Sequence, residues 1–287
     1  MQLSEALNKQ TGIVIGEPVS SNIYDVTIFR NRRLKKNSTV CKVYINSSYS
    51  KAYSEYVITA SAHAAAPESF MQVYDRPIPF KLRDTTFGGV RECCALLMEK
   101  GEPFRTDSVP MHLSRYAEFL RETATAAKVL HENGIVHMDI KPANIVTRNG
   151  RCCLIDFNIS KFISYNAEIN VYDFTGSKFF MCPDVFKGIV SKSCDIYSLG
   201  MTIRSILLNG AETIHGSCAE EILKEKRALE PLDSDDDEVR AFLEIINRMT
   251  AFSMNERYHS MDEVLRDVDR LAIDPHTRLY SAYEETG

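Results

Sequence analysis

The chain has 287 residues, 44% of them apolar and 25% charged, with a formal net charge of −5 and a pI near 5.9. That length suits one two-lobed domain or two small ones with a sizeable core, and no apolar stretch reaches the roughly 20 residues that span a bilayer. The acidic balance argues against general nucleic-acid binding and allows attraction to basic protein substrates, while MQLSEALNKQ at the start has neither the basic opening nor the apolar centre of a signal peptide.

Residues 12–43 alternate apolar and polar side chains between turn signals, which predicts three strands at about 12–19, 24–30 and 39–45. The basic run RNRRLKK at 30–36 reads as a solvated hairpin tip, with a nuclear-import signal or a contact for an acidic partner as alternatives. An alanine-rich helical stretch follows at about 50–65 and carries one acidic residue, Glu55. ECCALLMEK at 92–100 predicts a buried strand leading into a connector. Past Gly101 the period becomes helical: Leu113, Tyr116, Leu120, Ala124, Ala127 and Leu130 fall close to a 3.6-residue repeat, and Asn133-Gly134 supplies the C-cap. Asn149-Gly150 predicts a tight hairpin between strands at 145–148 and 151–155. Three more helices are expected at about 217–228, 237–250 and 260–271, the second opened by the acidic stretch 233–238 that complements a helix dipole. There is no C-x-x-C spacing, and the adjacent pairs Cys93-Cys94 and Cys152-Cys153 sit in apolar runs, so the eight cysteines read as buried thiols in a reducing compartment, cytoplasmic or nuclear.

The chemistry is concentrated in HMDIKPAN, His137 to Asn144, and in the Asp156-Phe157-Asn158 that ends the following strand. Asn144 follows Asp139 by five positions and Asp156 follows Asn144 by twelve. One base candidate and two metal-ligating side chains thus stand at a spacing suited to phosphoryl transfer, with the hairpin between them as the means of bringing them together. These motifs resemble the catalytic core of eukaryotic serine/threonine protein kinases, and the resemblance extends over about residues 12–272.

The resemblance implies an α+β fold of two lobes in a single kinase domain: a mainly β N-lobe with one helix at 1–100, a mainly α C-lobe at 101–273 and a tail at 274–287. It implies that Asp139 accepts the proton of a protein hydroxyl, that Lys141 neutralises the moving phosphoryl group, and that Asn144 and Asp156 hold Mg²⁺, or Mn²⁺ in its place. By the same likeness Lys42 meets the α- and β-phosphates of ATP and Glu55 pairs with it, Glu68 being the runner-up. Val26 would lie over the adenine and Met98 beside it as gatekeeper, with Glu99 and Lys100 offering backbone groups to its edge. His137 is expected to be a packing residue. Gly176-Ser177 matches a pair whose hydroxyl bridges the catalytic aspartate and lysine. Asp184 in the Pro-acidic close of the activation segment would pair with Arg257, and Asp195 would accept backbone hydrogen bonds from the catalytic loop.

Three departures stand out. Aligned from Val26, the glycines of the phosphate loop fall on Val19, Ser21 and Tyr24, which should weaken the grip on phosphate and raise the KM for ATP or abolish binding. Met138 replaces the arginine that usually meets an activation-segment phosphate, which implies activity without that phosphorylation. Asn158 replaces a glycine, a change asparagine tolerates because it takes left-handed conformations. The expected activity is ATP- and Mg²⁺-dependent phosphorylation of serine or threonine on a protein substrate, with basic substrates hinted at by Glu102, Asp107 and 233–238, no direct nucleic-acid or membrane partner, and an oligomeric state that the sequence leaves open. A pseudokinase scaffold is the alternative, a small-molecule phosphotransferase a distant third. The compact, divergent pattern suggests a kinase of a large DNA virus such as a baculovirus, acting in the host cell.

Overall fold

In a computed structural model the chain divides into two compact units, Met1–Glu102 with Ile155–Asn158, and Pro103–Leu154 with Ile159–Gly287. The structure describes residues 3–29, 32–34, 38–46, 49–83, 89–104, 112–163, 169–170 and 177–279. Part of the basic run 30–36, Asp107, Gly176 and the tail from residue 280 lie outside them. The architecture is the expected α+β one, with strands dominating the first unit and helices the second.

The first unit is built on one antiparallel sheet of β1 (Ile13–Ser20), β2 (Ile23–Phe29), β3 (Arg32–Arg33), β4 (Thr39–Ile45), β5 (Ile78–Arg83) and β6 (Val90–Glu99), in the order β1-β2-β4-β6-β5, with β3 paired to the end of β2 on the side away from β1. Because side chains alternate along a strand, β4 sends Cys41 and Val43 to one face and Val40, Lys42 and Tyr44 to the other. Cys41 and Val43 pack with Val26, Ala95 and Leu97 and with Ala6 and Leu7 of a helix, α1 (Leu3–Thr11). On the opposite face Tyr44 and Leu96 pack against Ala52 of α2 (Tyr49–Ala65), with Met98 and Tyr56 at the edge of the cluster.

The expectation of one helix in this unit is corrected by α1. Its nine residues bury only Ala6 and Leu7, too few to establish a period in the sequence. Gly12, at φ 71°, ends it, and the Gln10 carboxamide accepts from Lys81 N at 2.9 Å and donates to Lys81 O at 2.8 Å. That pairing covers part of the backbone of β5, an edge strand also unforeseen because Pro79 speaks against a strand except at an edge.

In the second unit α3 (Leu113–Glu132) is the long helix read from the sequence, and it buries Leu113, Tyr116, Leu120, Ala124, Ala127 and Leu130 as the period requires. Gly134 follows at φ 70°, where a Cβ would lie 2.7 Å from Ile163 O, so position and conformation both demand glycine. The hairpin strands Ile145–Arg148 and Arg151–Leu154 are joined through Asn149 and Gly150 at φ 53° and 79°, the two positive values of a type I′ turn. Next come α4 (Lys192–Leu207), α5 (Ala219–Arg227), α6 (Asp237–Met249) and α7 (Met261–Asp269). Asp236 caps α6 by accepting from Glu238 N and Val239 N, and Ser260 caps α7 by accepting from Glu263 N. Gly200 lets α4 and α6 approach, since a Cβ there would stand 2.8 Å from Met249 Cβ.

Candidate active site

In the first unit the structure brings Lys42, Glu55 and Asp156 together. Lys42 Nζ lies 2.9 and 3.1 Å from the two oxygens of Glu55 and 2.8 Å from Asp156 Oδ1. Burial disfavours the ammonium charge, but the Glu55 and Asp156 carboxylates outweigh it and hold the Lys42 pKa above the ordinary lysine value. Glu55 is 1% exposed, and an ionised carboxylate that deep requires its partners. Phe157 keeps residues 155–158 in this unit by packing on Phe70, ring centroids 6.1 Å apart.

The left-handed residue of this turn is Asp156, at φ 68°, and Asn158 has no positive φ, which corrects the reading of Asn158 as the residue that takes over the glycine conformation. Asn158 N instead donates to Asp156 Oδ1 at 3.4 Å.

Val26 is placed where it cannot lie over an adenine on the Lys42 side. It is 3% exposed and belongs to the cluster of Cys41 and Val43, on the far face of the sheet. Ile23 pairs with Lys42 and Asp25 with Val40, and directly opposed residues share a face. The apolar residue of β2 beside Lys42 is therefore Ile23, three positions earlier. The same shift moves the three loop positions from Val19, Ser21 and Tyr24 to Gly16, Pro18 and Ser21, so one glycine is retained. Asn22, at φ 60°, supplies the left-handed residue of the β1–β2 turn.

Met98 pairs with Val40 and so shares the Lys42 face. The amides of Glu99 and Lys100 are already engaged, with Gln72 O at 2.8 Å and Ser38 O at 3.0 Å. This corrects part of the expectation for them: as donors these two amides are spent. The Lys100 ammonium pairs with Asp25 at 2.7 Å.

In the second unit the catalytic-loop residues converge on Asp139. Its Oδ2 accepts from Asn144 Nδ2 at 2.8 Å and lies 2.7 Å from Lys141 Nζ, while no described residue engages Oδ1, the oxygen left to take a proton. Lys141 Nζ also donates to Ser177 Oγ at 3.1 Å, so the lysine itself links carboxylate and hydroxyl. The loop hangs on Asp195, fully buried in the first turn of α4, which accepts from His137 N at 2.8 Å and Met138 N at 2.9 Å and bonds the His131 ring at 2.9 Å. Met138 is held at φ 73° by this grip. His137 is fully buried, and its Nδ1 accepts from Asp139 N at 3.3 Å.

Mg²⁺ calls for hard oxygen donors, and the chain offers them. In the second unit Asn144 uses its nitrogen for Asp139, which leaves its Oδ1 for a cation; in the first, Asp156 brings a carboxylate, and Asn158 Oδ1 is buried with no hydrogen-bond partner among the described residues. Among the described residues no group of three His, Cys, Asp or Glu side chains forms a metal site of another kind.

The protein kinase domain model matches residues 93–268, more than half of the chain. The chain belongs to the protein kinase family. Calcium-dependent protein kinase 4 of Plasmodium falciparum is 33% identical over 117 residues, covering 39% of this chain and 22% of that protein. Serine/threonine-protein kinase ppk34 of Schizosaccharomyces pombe is 33% identical over 99 residues, 33% of this chain and 27% of its own. CDPK-related kinase 4 of Arabidopsis thaliana is 34% identical over 129 residues, 42% and 21%. The matches thus span about a quarter or less of these relatives' lengths.

The close of the kinase activation segment is held by more than the sequence discloses. Asp184 and Arg257 meet at 2.7 Å, as expected, and Arg257, fully buried, spends its other N–H groups on Cys182 Sγ, Ser193 Oγ, Ala251 O and Phe252 O. Burial pushes the Asp184 carboxyl up, yet the Arg257 charge and the bonds from Cys182 and Arg257 carry its pKa below the usual range. Lys226 donates to Phe179 O at 2.8 Å and lies 5.1 Å from the Tyr197 ring centroid. Met138 is buried with Met181, Cys182, Val185 and Tyr197. Nothing in the charged run of α5 marks Lys226 as a buried residue, and the role of Cys182 depends on a partner 75 positions away.

Proposed function

We propose that this chain is an ATP- and Mg²⁺-dependent serine/threonine protein kinase whose activity does not depend on phosphorylation of its activation segment. The observation that carries the reading is the convergence of Lys141, Asn144 and Ser177 around Asp139, with Oδ1 of that aspartate uncommitted among the described residues. Asp139 would take the proton of a serine or threonine hydroxyl as that oxygen attacks the γ-phosphorus of ATP, the bond from phosphorus to the β,γ-bridging oxygen breaks, and ADP departs. Lys141 would balance the charge of the moving group, and Lys42, fixed by Glu55, would orient the α- and β-phosphates. Asn144 and Asp156 would hold Mg²⁺, which when bound neutralises phosphate charge.

Independence from phosphorylation is supported by Met138. Where the family's arginine would await a phosphate, this side chain packs among Met181, Cys182 and Val185, so apolar burial does the holding. The net charge of −5 supports basic protein substrates, and seven buried free thiols fit a reducing, intracellular setting.

A second reading, a scaffold that binds nucleotide poorly, is favoured by Pro18: proline has no N–H, so the end of β1 has one amide fewer for phosphate. Transfer of labelled γ-phosphate from ATP·Mg²⁺ to histone or protamine separates the two. Phosphoserine or phosphothreonine made by the wild type, and reduced about 10³-fold in Asp139→Asn with nucleotide binding retained, supports the kinase. No transfer and no thermal shift with ATP·Mg²⁺ supports the scaffold.

A further inference from the structure

Tyr44 takes no part in the reading above, yet it touches the centre of the first unit's charged cluster. It stands two residues beyond Lys42 on β4 and so faces the same way. Its ring is 6% exposed and packs in the cluster of Ala52 and Leu96. Its hydroxyl donates to Glu55 Oε2, and the Lys42 ammonium lies 5.6 Å from its ring centroid. Glu55 is therefore gripped by β4 twice, by a charged group at Lys42 and by a neutral one at Tyr44.

The two grips differ in what can undo them. Lys42 also contacts Asp156 and, in the kinase reading, must turn toward phosphate, so its hold on Glu55 is shared. The Tyr44 hydroxyl is given to Glu55 itself, and that bond stays when the Lys42 ammonium leaves the ring. A buried tyrosine hydroxyl needs a partner, and a carboxylate that is 1% exposed needs donors, so each satisfies the other whether or not Lys42 is occupied.

We propose that Tyr44 is a positioning residue that latches α2 to β4 through Glu55, keeping the Lys42–Glu55 pair formed without a signal from outside the domain. The latch stands on geometry alone; its catalytic consequence rests on the kinase reading. It supplies, within the first unit, the same independence from phosphorylation that Met138 supplies in the second.

The test compares wild type, Tyr44→Phe, Glu55→Gln, the double variant and Lys42→Met. Amide hydrogen exchange in the ligand-free protein needs no activity. Tyr44→Phe should speed exchange in residues 49–65 at least fivefold and leave β4 and β6 within twofold, whereas Lys42→Met should leave 49–65 within twofold because the tyrosine bond survives. In kinetics, Tyr44→Phe should lower kcat/KM for ATP about tenfold with the KM for the protein substrate unchanged, and should cost less than twofold in the Glu55→Gln background. Unchanged exchange in Tyr44→Phe overturns the latch, as does rapid exchange in Lys42→Met, a result that also serves if Tyr44→Phe cannot be purified. An equal kinetic loss with and without Glu55 shows that Tyr44 does not act through that residue and overturns the positioning role. If the exchange results hold while the wild type transfers no phosphate, the latch stands and the kinase reading falls.

Discussion

The two units hold their reactive groups by different means. In the second, Asp139 and Asn144 sit on a loop whose backbone is clamped by a carboxylate outside it, Asp195, and the Arg257–Asp184 pair secures the segment that carries Ser177. In the first, Lys42, Glu55, Tyr44 and Asp156 secure one another directly. Clamping through buried anchors separates stability from chemistry: the anchor can be lost without touching a reacting atom, and the reacting atom without touching the anchor. Mutual pairing joins them, because Lys42 and Asp156 are both support and reagent.

The largest expected effect comes from breaking an anchor. Asp184→Asn leaves the fully buried Arg257 without its counter-charge, a loss on the order of 3–5 kcal/mol and a Tm lower by roughly 10 °C in calorimetry. Asp139→Asn, by contrast, should lower transfer about 10³-fold while moving Tm by less than about 2 °C. If the two variants lost stability equally, the separation of anchor from reagent in the second unit would be wrong.

A smaller effect sharpens the contrast inside that unit, where one buried cation has a carboxylate and another has none. Arg257 meets Asp184, but among the described residues Lys226 has only Phe179 O and the Tyr197 ring, with Cys182 and the like-charged Arg257 nearby. Burial pushes the Lys226 amine down to about 7, whereas in the unfolded chain it titrates near 10.4. Between those values the unfolded chain binds the extra proton, so stability from this group rises with pH from about 7 to about 10 and is flat below. Thermal melts from pH 6 to 9 should show a rise of a few degrees that Lys226→Met removes. An identical slope in both proteins would show that Lys226 is charged when folded.

What could be read from the sequence follows the same division. HMDIKPAN is local: its eight residues sit on one loop, and the hairpin behind it is announced by Asn149-Gly150. Helices α3, α6 and α7 came through because their apolar periods run for two turns or more. The first unit depends on register, which a sequence states weakly in a strand such as β1 whose pairing with β2 slips at three places. Val26 and Ile23 are both β-branched and both on β2; only the pairing of Ile23 with Lys42 tells which faces the phosphates. Tyr44 and Lys226 are missed for a related reason, since a polar side chain with a buried partner looks the same in sequence as one in solvent.

The register can be tested by exchanging the two expectations for β2. Val26→Ala removes two methyl groups from a packed cluster, which costs about 2 kcal/mol, and should leave the KM for ATP unchanged. Ile23→Ala, on the half-buried Lys42 face, should do the reverse, raising that KM severalfold with little change in Tm. The smallest effect belongs to the loop before it. Pro18→Gly restores an N–H and conformational freedom at the position the register assigns to the second glycine, so the KM for ATP should fall two- to fivefold. The same change at Val19, which the unshifted alignment would favour, should do less. If Val19→Gly lowered KM more than Pro18→Gly, the three-residue shift would be wrong and Val26 would again be the residue nearest the base.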